Sequence, residues 1–398
     1  MKLLYIVHQF FPKHYMGTER FTLDLARQMQ RMGHDPTVVT YDPSYEQDGF
    51  ESLTEGVLAK SYTYQAVPVI ALKHATPRPG FNILDAEIEQ AFEKLGITSD
   101  VAHVSHPMRL SSIAALLKRA GTPVVMTLTD SWLLCPTAML DEHNRPCMGP
   151  GLGDKCALEY GPAGTSRLRE AKMLFEMADT IVVASRFLAA LFRSNGWNRT
   201  IRVIPHSIDY ANVRRAEERH SGRTTIAFVG TIAWHKGLHI LIKAFRRTQY
   251  PNLTLRIYGS PAGQIVYHNA LLDLAQGDER IEFLEPFDIR QLPAIMRDIS
   301  AIVIPSVYYE PYPLVMLIAL AYRIPLIASN IGGIPEVVKD DFNGFLFKPG
   351  DADQLTSIIE RIAREPQILE TLRTNIVSPR RTEEEALDYE NIYRSLCH

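Results

Sequence analysis

The stretch SVYYEPYPLVMLIALAYRIPLIASNIGGIPEVV, residues 306–338, reads as the end of a buried strand, a proline-rich turn, a helix and the next strand. The strand, AIVIPS (301–306), is a short apolar run that closes at Ser306. The turn displays Glu310, and the helix begins near Pro313, a residue tolerated in a first helical turn because its missing N–H has no intrahelical partner there. The amides of Leu314, Val315 and Met316 are then unpaired at the positive end of the helix dipole, an anion site suited to a diphosphate. Two roles stay open for Glu310. It accepts from hydroxyls of whatever the diphosphate carries, or it caps the helix by accepting from the free amides.

Working outward, the same alternation of strand-length apolar runs and helical periods recurs through this half of the chain. Its strands are TTIAFVG (224–230), LTLRIYG (253–259), RIEFLE (280–285), AIVIPS, PLIAS (325–329) and GFLF (344–347). In FVGTIAWHKG (228–237) a strand closes at Gly230, and Lys236 stands on the following loop, where an ammonium meets phosphate oxygens as a point charge. His235 reads equally well as a loop histidine.

An earlier set of βαβ units mirrors this one. LLYIV (3–7) leads to a helix from about Gly17 to Met32 with Phe21, Leu25 and Met29 on one face, which Gly33 stops. PTVVTY (36–41), VAHVSH (101–106), PVVMTL (123–128), TIVVAS (180–185) and TIRVIP (200–205) continue the series. Gly17 opens its helix after strand and loop, where a missing side chain lets backbone approach the same diphosphate. Of the two histidines in VAHVSHP, His106 is the one expected to face the ligand, and His103 is expected to be a satisfied interior residue.

These patterns predict an α/β protein of two Rossmann-like, doubly wound domains, residues 1–209 and 223–380. The polar, charged segment 210–222 links them, and residues 381–398 form a C-terminal amphipathic helix packing on the surface of one domain. Tandem sheets of this kind are expected to face one another across a cleft, with ligands at the carboxyl ends of their strands.

Composition narrows the partners. Of 398 residues, 46% are hydrophobic and 22% charged, and 42 Lys and Arg nearly balance 45 Asp and Glu, so no bulk basic charge exists for nucleic acid. Four cysteines are too few for a disulfide framework and fit a cytoplasmic protein. LVMLIALAY (314–322) is about half of the roughly 20 residues that span a membrane. MKLLYIV is too short for a signal peptide's apolar region. The loop LLCPTAMLDEHNRPCMGPGLGDKCALEY (133–160) is long and rich in Gly and Pro, which suggests an acceptor-side loop. Cys135, Cys147 and Cys156, with His143, lack a CxxC pair, so free thiols are the expectation and no metal or cofactor is assigned.

In order and spacing, these pieces resemble retaining glycosyltransferase family 4, of the GT-B fold, over nearly the whole chain. The Gly17-Thr18-Glu19 turn is similar to the family's first loop. IRVIPHSID (201–209) resembles the strand closing its first domain, and FVGTIAWHKG the opening of its second. EPYPLVMLIALAYRIPLIASNIGGIPE resembles its nucleotide-sugar signature, and NGFLFKPGD (343–351) follows as in the family.

The resemblance implies transfer of a sugar from a nucleoside diphosphate sugar to an acceptor with retained anomeric configuration, with residues 1–209 the acceptor-binding domain and residues 223–380 the nucleotide-sugar-binding domain. It places Lys236 and the Leu314 and Val315 amides on the departing diphosphate and Glu310 on donor-sugar hydroxyls; His106, read from its strand end as ligand-facing, is the further catalytic candidate. No metal is required, since fixed positive groups supply the charge. The implied partners are a nucleotide sugar and a glycan or lipid-linked acceptor, in cell-surface glycan assembly, with peripheral contact at the inner face of the membrane for a lipid-linked acceptor.

Three positions depart from the family pattern. Where it has a second acidic residue, eight positions after Glu310, to bind ribose, this chain has Ile318. That change leaves three readings open: a deoxyribose donor, affinity supplied elsewhere, or a weakened site. Thr231 stands where many members place an Arg toward the diphosphate. Thr129 stands where many place a His near the reacting sugar, beside Asp130, which is either ligand-facing or a loop-capping residue. Ile318 and Thr231 motivate the alternative of a catalytically silent relative that binds nucleotide sugar or a partner transferase. A phosphorylase or sugar-phosphate synthase on the same fold would call for a further basic group, and the sequence offers no clear candidate.

Overall fold

The computed structural model describes residues 1–46, 48–76, 78, 83–135, 146–147, 154–210, 223–261, 263–286 and 291–397, without the side chains of 154–163. The expected linker, from 211 onward, and most of the loop after Cys135 lie outside the described residues. The chain divides into two compact units, one built from Met1–Met139, Cys147–Asp209 and Arg380–His398, the other chiefly from Tyr210–Pro379.

Among the described residues the first unit carries nine strands: β1 (Lys2–Val7), β2 (Asp35–Tyr41), β3 (Glu51–Ser52), β4 (Val57–Tyr64), β5 (Val67–His74), β6 (Val101–Val104), β7 (Val124–Leu128), β8 (Thr180–Val183) and β9 (Ile201–Val203). They form one sheet in the order β3-β4-β5-β2-β1-β6-β7-β8-β9. From β5 to β9 every pairing is parallel. The order reverses between β1 and β6, the place where doubly wound sheets bind ligands.

The sequence reading missed the antiparallel β4–β5 hairpin at one edge. Its two-residue turn is Gln65-Ala66, both at positive φ (47° and 68°), a conformation whose usual markers are Asn-Gly or Gly-Gly. With no glycine or asparagine to announce it, the turn was invisible. Replacing Gln65-Ala66 by Asn-Gly removes the left-handed strain and is expected to stabilise the unit by about 1 kcal/mol. Thermal unfolding should register this as a rise of roughly 2–4 °C.

The second unit carries β10 (Thr224–Val229), β11 (Leu253–Tyr258), β12 (Ile281–Leu284), β13 (Ala301–Ile304), β14 (Leu326–Ser329) and β15 (Gly344–Phe347). All pair in parallel, in the order β12-β11-β10-β13-β14-β15, with the reversal between β10 and β13. Period-two alternation splits their side chains between two layers. Ile226, Phe228, Ala301 and Val303 enter the core that holds Leu238, Leu241, Ile242 and Phe245 of the helix Leu238–Arg247. Ala227, Ile302 and Ile304 enter the opposite one, with Met316, Ala319 and Leu320 of the helix Leu314–Ala321.

The C-terminal helix, Thr382–Leu396, packs on one domain through its apolar face. It belongs to the first unit and drives Tyr389, Ile392 and Tyr393 into that unit's core. There Tyr389 OH lies 2.9 Å from Thr127 Oγ1, and His103 is shared between Tyr393 OH and Thr127 Oγ1. Burial pushes the His103 pKa down to about 3, so it is the neutral, satisfied interior histidine expected.

Candidate functional site

In the second unit, Lys236 follows β10 and Glu310 follows β13, so the strand-order reversal brings these two sequence candidates together. The Lys236 ammonium donates to Glu310 Oε1 at 2.8 Å and to Tyr308 OH at 3.0 Å. Ser306 Oγ donates to Glu310 Oε1 at 2.6 Å, and Tyr308 OH donates to Oε2 at 2.9 Å. Three protein donors therefore fix a carboxylate whose side chain is only 4% exposed, while that of Lys236 is 25% exposed.

Backbone geometry makes this pairing possible. The loop after β10 runs through a 3-10 turn at Trp234–Lys236 and reverses at Gly237, where φ is 72°. A Cβ there would lie 1.9 Å from the Pro305 carbonyl oxygen, so only glycine lets the two loops close. Val307 N donates to His235 O at 2.9 Å and ties them. Gly332 plays the same part on the far side of Glu310: a Cβ would lie 2.3 Å from the Glu310 carbonyl oxygen, and Gly333 N donates to that oxygen at 2.8 Å.

Burial alone would raise the Glu310 pKa, but Lys236, Ser306 and Tyr308 hold it below the usual carboxylate range. Burial likewise opposes charge on Lys236, and Glu310 with Tyr308 overcomes it, holding the ammonium pKa above its ordinary value. Both groups are charged at neutral pH. His235, edge-on to the Tyr308 ring at 4.6 Å, is pushed down to about 4 by burial and then by Lys236, so it is neutral.

The alternative that Glu310 caps the following helix is corrected. That helix is Leu314–Ala321, its N-cap is Pro313, and no side chain caps it. Leu314 and Val315 thus present first-turn amides with no side-chain cap, whereas the Met316 amide, also expected to be unpaired, donates to Pro313 O at 3.0 Å. Ile318 is half-buried and packs, with Val315 and Tyr322, against the core beneath the helix. Thr231 is half-buried on the loop after β10. Sequence reasoning missed Tyr308 and Ser306; the signal available was their place in the same turn, two and four residues before Glu310.

In the first unit the reversal gathers a second set. His106, after β6, is buried and lies 3.2 Å from Asp130 Oδ2, while its Nδ1 accepts from Met108 N at 3.3 Å. Asp130 Oδ1 accepts from Trp132 N at 2.8 Å, so this residue both caps its loop and holds the histidine. Burial opposes the Asp130 charge, yet His106 and the Trp132 amide hold its pKa down to about 2.

Two residues the sequence reading passed over join them. The His8 ring, just after β1, lies 4.1 Å from that of His106, and His8 Nε2 is 3.5 Å from Glu19 Oε1. Thr18 Oγ1 donates to Thr129 Oγ1 at 2.8 Å. Gly17 opens the helix Gly17–Arg31 and is exposed. Cys135 is buried and Cys147 half-buried, while His143 and the Cys156 side chain lie outside the described residues. Among the described residues, no three His, Cys, Asp or Glu are placed to hold a metal ion, and no helix is long and apolar enough to cross a membrane.

Residues 15–212 match the model of Glycosyltransferase Family 4, and residues 209–377 match that of Glycosyl transferases group 1. Glycogen synthase of Mycobacterium tuberculosis is 33% identical over 172 residues, 42% of this chain and 40% of that protein. D-inositol 3-phosphate glycosyltransferase of Corynebacterium efficiens is 33% identical over 147 residues, 34% of each chain. The matched stretches thus span well under half the length of these relatives. The crystal structure of Anabaena Alr3699/HepE in complex with UDP and glucose superposes with a TM-score of 0.72 at 19% identity, covering 99% of this chain and 100% of that one, which establishes the shared GT-B fold.

Proposed function

That the chain belongs to the glycosyltransferases of family 4 and group 1 is the premise from which we propose its reaction: transfer of a sugar from a nucleoside diphosphate to an acceptor hydroxyl with retained anomeric configuration. The observation that carries this reading is the Lys236–Glu310 pair at the β10/β13 reversal, beside a helix start with no side-chain cap.

In the reaction the bond between the anomeric carbon and the diphosphate oxygen breaks, and negative charge grows on the departing phosphate. Lys236 has three N–H donors, of which Glu310 and Tyr308 take two, so one is left to meet that charge together with the Leu314 and Val315 amides. Glu310 is then a positioning residue: it fixes the ammonium and keeps it protonated. The acceptor oxygen attacks the anomeric carbon on the face the diphosphate leaves, and a phosphate oxygen takes the acceptor proton. Catalysis in this scheme is positioning and charge stabilisation. The acceptor we assign is a glycan or lipid-linked molecule of cell-surface glycan assembly, on the strength of the family resemblance.

Titration with UDP, GDP, ADP and dTDP, followed by hydrolysis of the matching nucleotide sugar, tests the reading. Saturable stabilisation by a nucleoside diphosphate supports it. Binding without turnover toward any acceptor favours the silent relative that Ile318 and Thr231 suggest. Ile318→Glu supplies a carboxylate to the ribose hydroxyls and is expected to tighten ribonucleotide binding about 10-fold. An equal gain for dTDP and UDP removes the deoxyribose donor from consideration.

A further inference from the structure

Unsatisfied buried polar atoms concentrate at one place in the first unit. His8 Nδ1, Glu19 Oε2, Ser105 Oγ and Arg109 Nε are all buried without a hydrogen-bond partner among the described residues. His8 lies on the loop after β1, Glu19 in the first turn of the helix Gly17–Arg31 that follows it, and Ser105 and Arg109 on the loop after β6, on either side of the strand-order reversal. Buried polar groups ordinarily find partners, so a cluster of orphans at a ligand-binding position calls for a ligand.

Arg109 gives that ligand its charge. Its guanidinium lies 4.9 Å from the centre of the Tyr41 ring, and among the described residues it has no carboxylate partner. A half-buried guanidinium with no counter-ion is costly, and its fork matches the two oxygens of a phosphate or carboxylate. Its backbone is left-handed, at φ 65°, which is uncommon for a residue with a side chain. The neighbouring carboxylates do not supply the missing charge. Asp130 is engaged by His106 and the Trp132 amide, and Glu19 Oε1 faces His8. Burial holds the His8 pKa well below its ordinary value, so its neutral ring hydrogen-bonds hydroxyls without adding charge.

We propose that the carboxyl ends of β1 and β6 form an acceptor subsite in which Arg109 holds an oxyanion carried by the acceptor, while His8 and Glu19 meet hydroxyls beside it. This assignment rests on the glycosyltransferase reading and adds an acceptor class to it: polyhydroxylated molecules bearing a phosphate or carboxylate.

The test uses the full chain saturated with UDP, so that the donor side is occupied, and titrates inorganic phosphate by calorimetry. Phosphate is expected to bind, and Arg109→Gln to weaken it about 10- to 100-fold with UDP affinity unchanged. Arg109→Lys keeps the charge and should restore part of the affinity, which a merely structural Arg109 would not require. Lys236→Ala, tested without UDP, should keep the Arg109-dependent phosphate binding. Repeating the titration with sn-glycerol 3-phosphate and with phosphatidylglycerol vesicles separates a soluble carrier from a lipid headgroup, with dependence on Arg109 required of whichever binds. Phosphate affinity equal in wild type and Arg109→Gln, or no phosphate binding, overturns the subsite. Failure of UDP to bind overturns the donor reading instead.

Discussion

Lys236→Ala should lower the affinity for a nucleoside diphosphate by roughly 10³-fold, since it removes the one side-chain cation assigned to the diphosphate and the charge that meets the leaving group. Stability should fall as well, by about 3 kcal/mol at neutral pH, because Glu310 keeps its hydroxyl partners but loses the ammonium at 2.8 Å. The two effects separate in a double variant. Lys236→Ala with Glu310→Gln leaves no buried charge and should recover most of the stability while binding stays lost.

The pH dependence of the stability loss has a defined sign. The Glu310 pKa is depressed in the folded chain, so its contribution is present above its ordinary value of 4.5 and disappears as pH falls through the folded value. The Lys236 pKa is raised, so its contribution is present below 10.5 and disappears as pH rises through the folded value. The difference in melting temperature between wild type and Lys236→Ala should therefore be widest between about pH 5 and 10 and shrink in acid. A difference that grows as pH falls below 4 would show that the pair does not act as described.

Gly237→Ala is expected to be nearly as damaging by another route. The new methyl would sit 1.9 Å from the Pro305 carbonyl oxygen, a backbone atom next to the end of β13, at a residue with φ 72°. The left-handed backbone alone costs about 1 kcal/mol for a residue with a side chain, and the clash forces the two loops apart. A loss of about 4 kcal/mol, with nucleotide affinity reduced at least 10-fold in the protein that remains folded, is the expected outcome. Gly277→Ala is the control. It has φ 82° with nothing within 4 Å of the added carbon, so it should cost only the backbone component and leave binding intact.

In the first unit β1, β2 and β6–β9, and in the second all of β10–β15, were legible in the sequence because each is a short apolar run bounded by turn residues. The helices between them were legible because Leu238, Leu241, Ile242 and Phe245 repeat at helical spacing. The β4–β5 hairpin was not, since Gln65-Ala66 adopts a turn that other residues normally signal. Tyr389, Ile392 and Tyr393 were legible as a packed face by their helical spacing, but that this face meets the first unit was not, because spacing marks a buried face without naming its partner.

Of the site, Lys236 and Glu310 were found by position, each one loop beyond a buried strand. Their direct pairing was not foreseeable, because 74 residues separate them and only the strand order makes β10 and β13 neighbours. His8 and Arg109 gave no local signal, and Glu19 gave only its place in the Gly17-Thr18-Glu19 turn. A histidine after a strand, an acidic residue in a first helical turn and a loop arginine are ordinary features until the fold leaves their buried atoms unmatched.

A crystal structure of the chain with UDP bound tests the central claim most directly. The account predicts diphosphate oxygens within hydrogen-bond distance of Lys236 Nζ and of the Leu314 and Val315 amides, with Glu310 still oriented by Ser306 and Tyr308. A nucleotide seated elsewhere, with the ammonium turned only toward Glu310 and Tyr308, would contradict it.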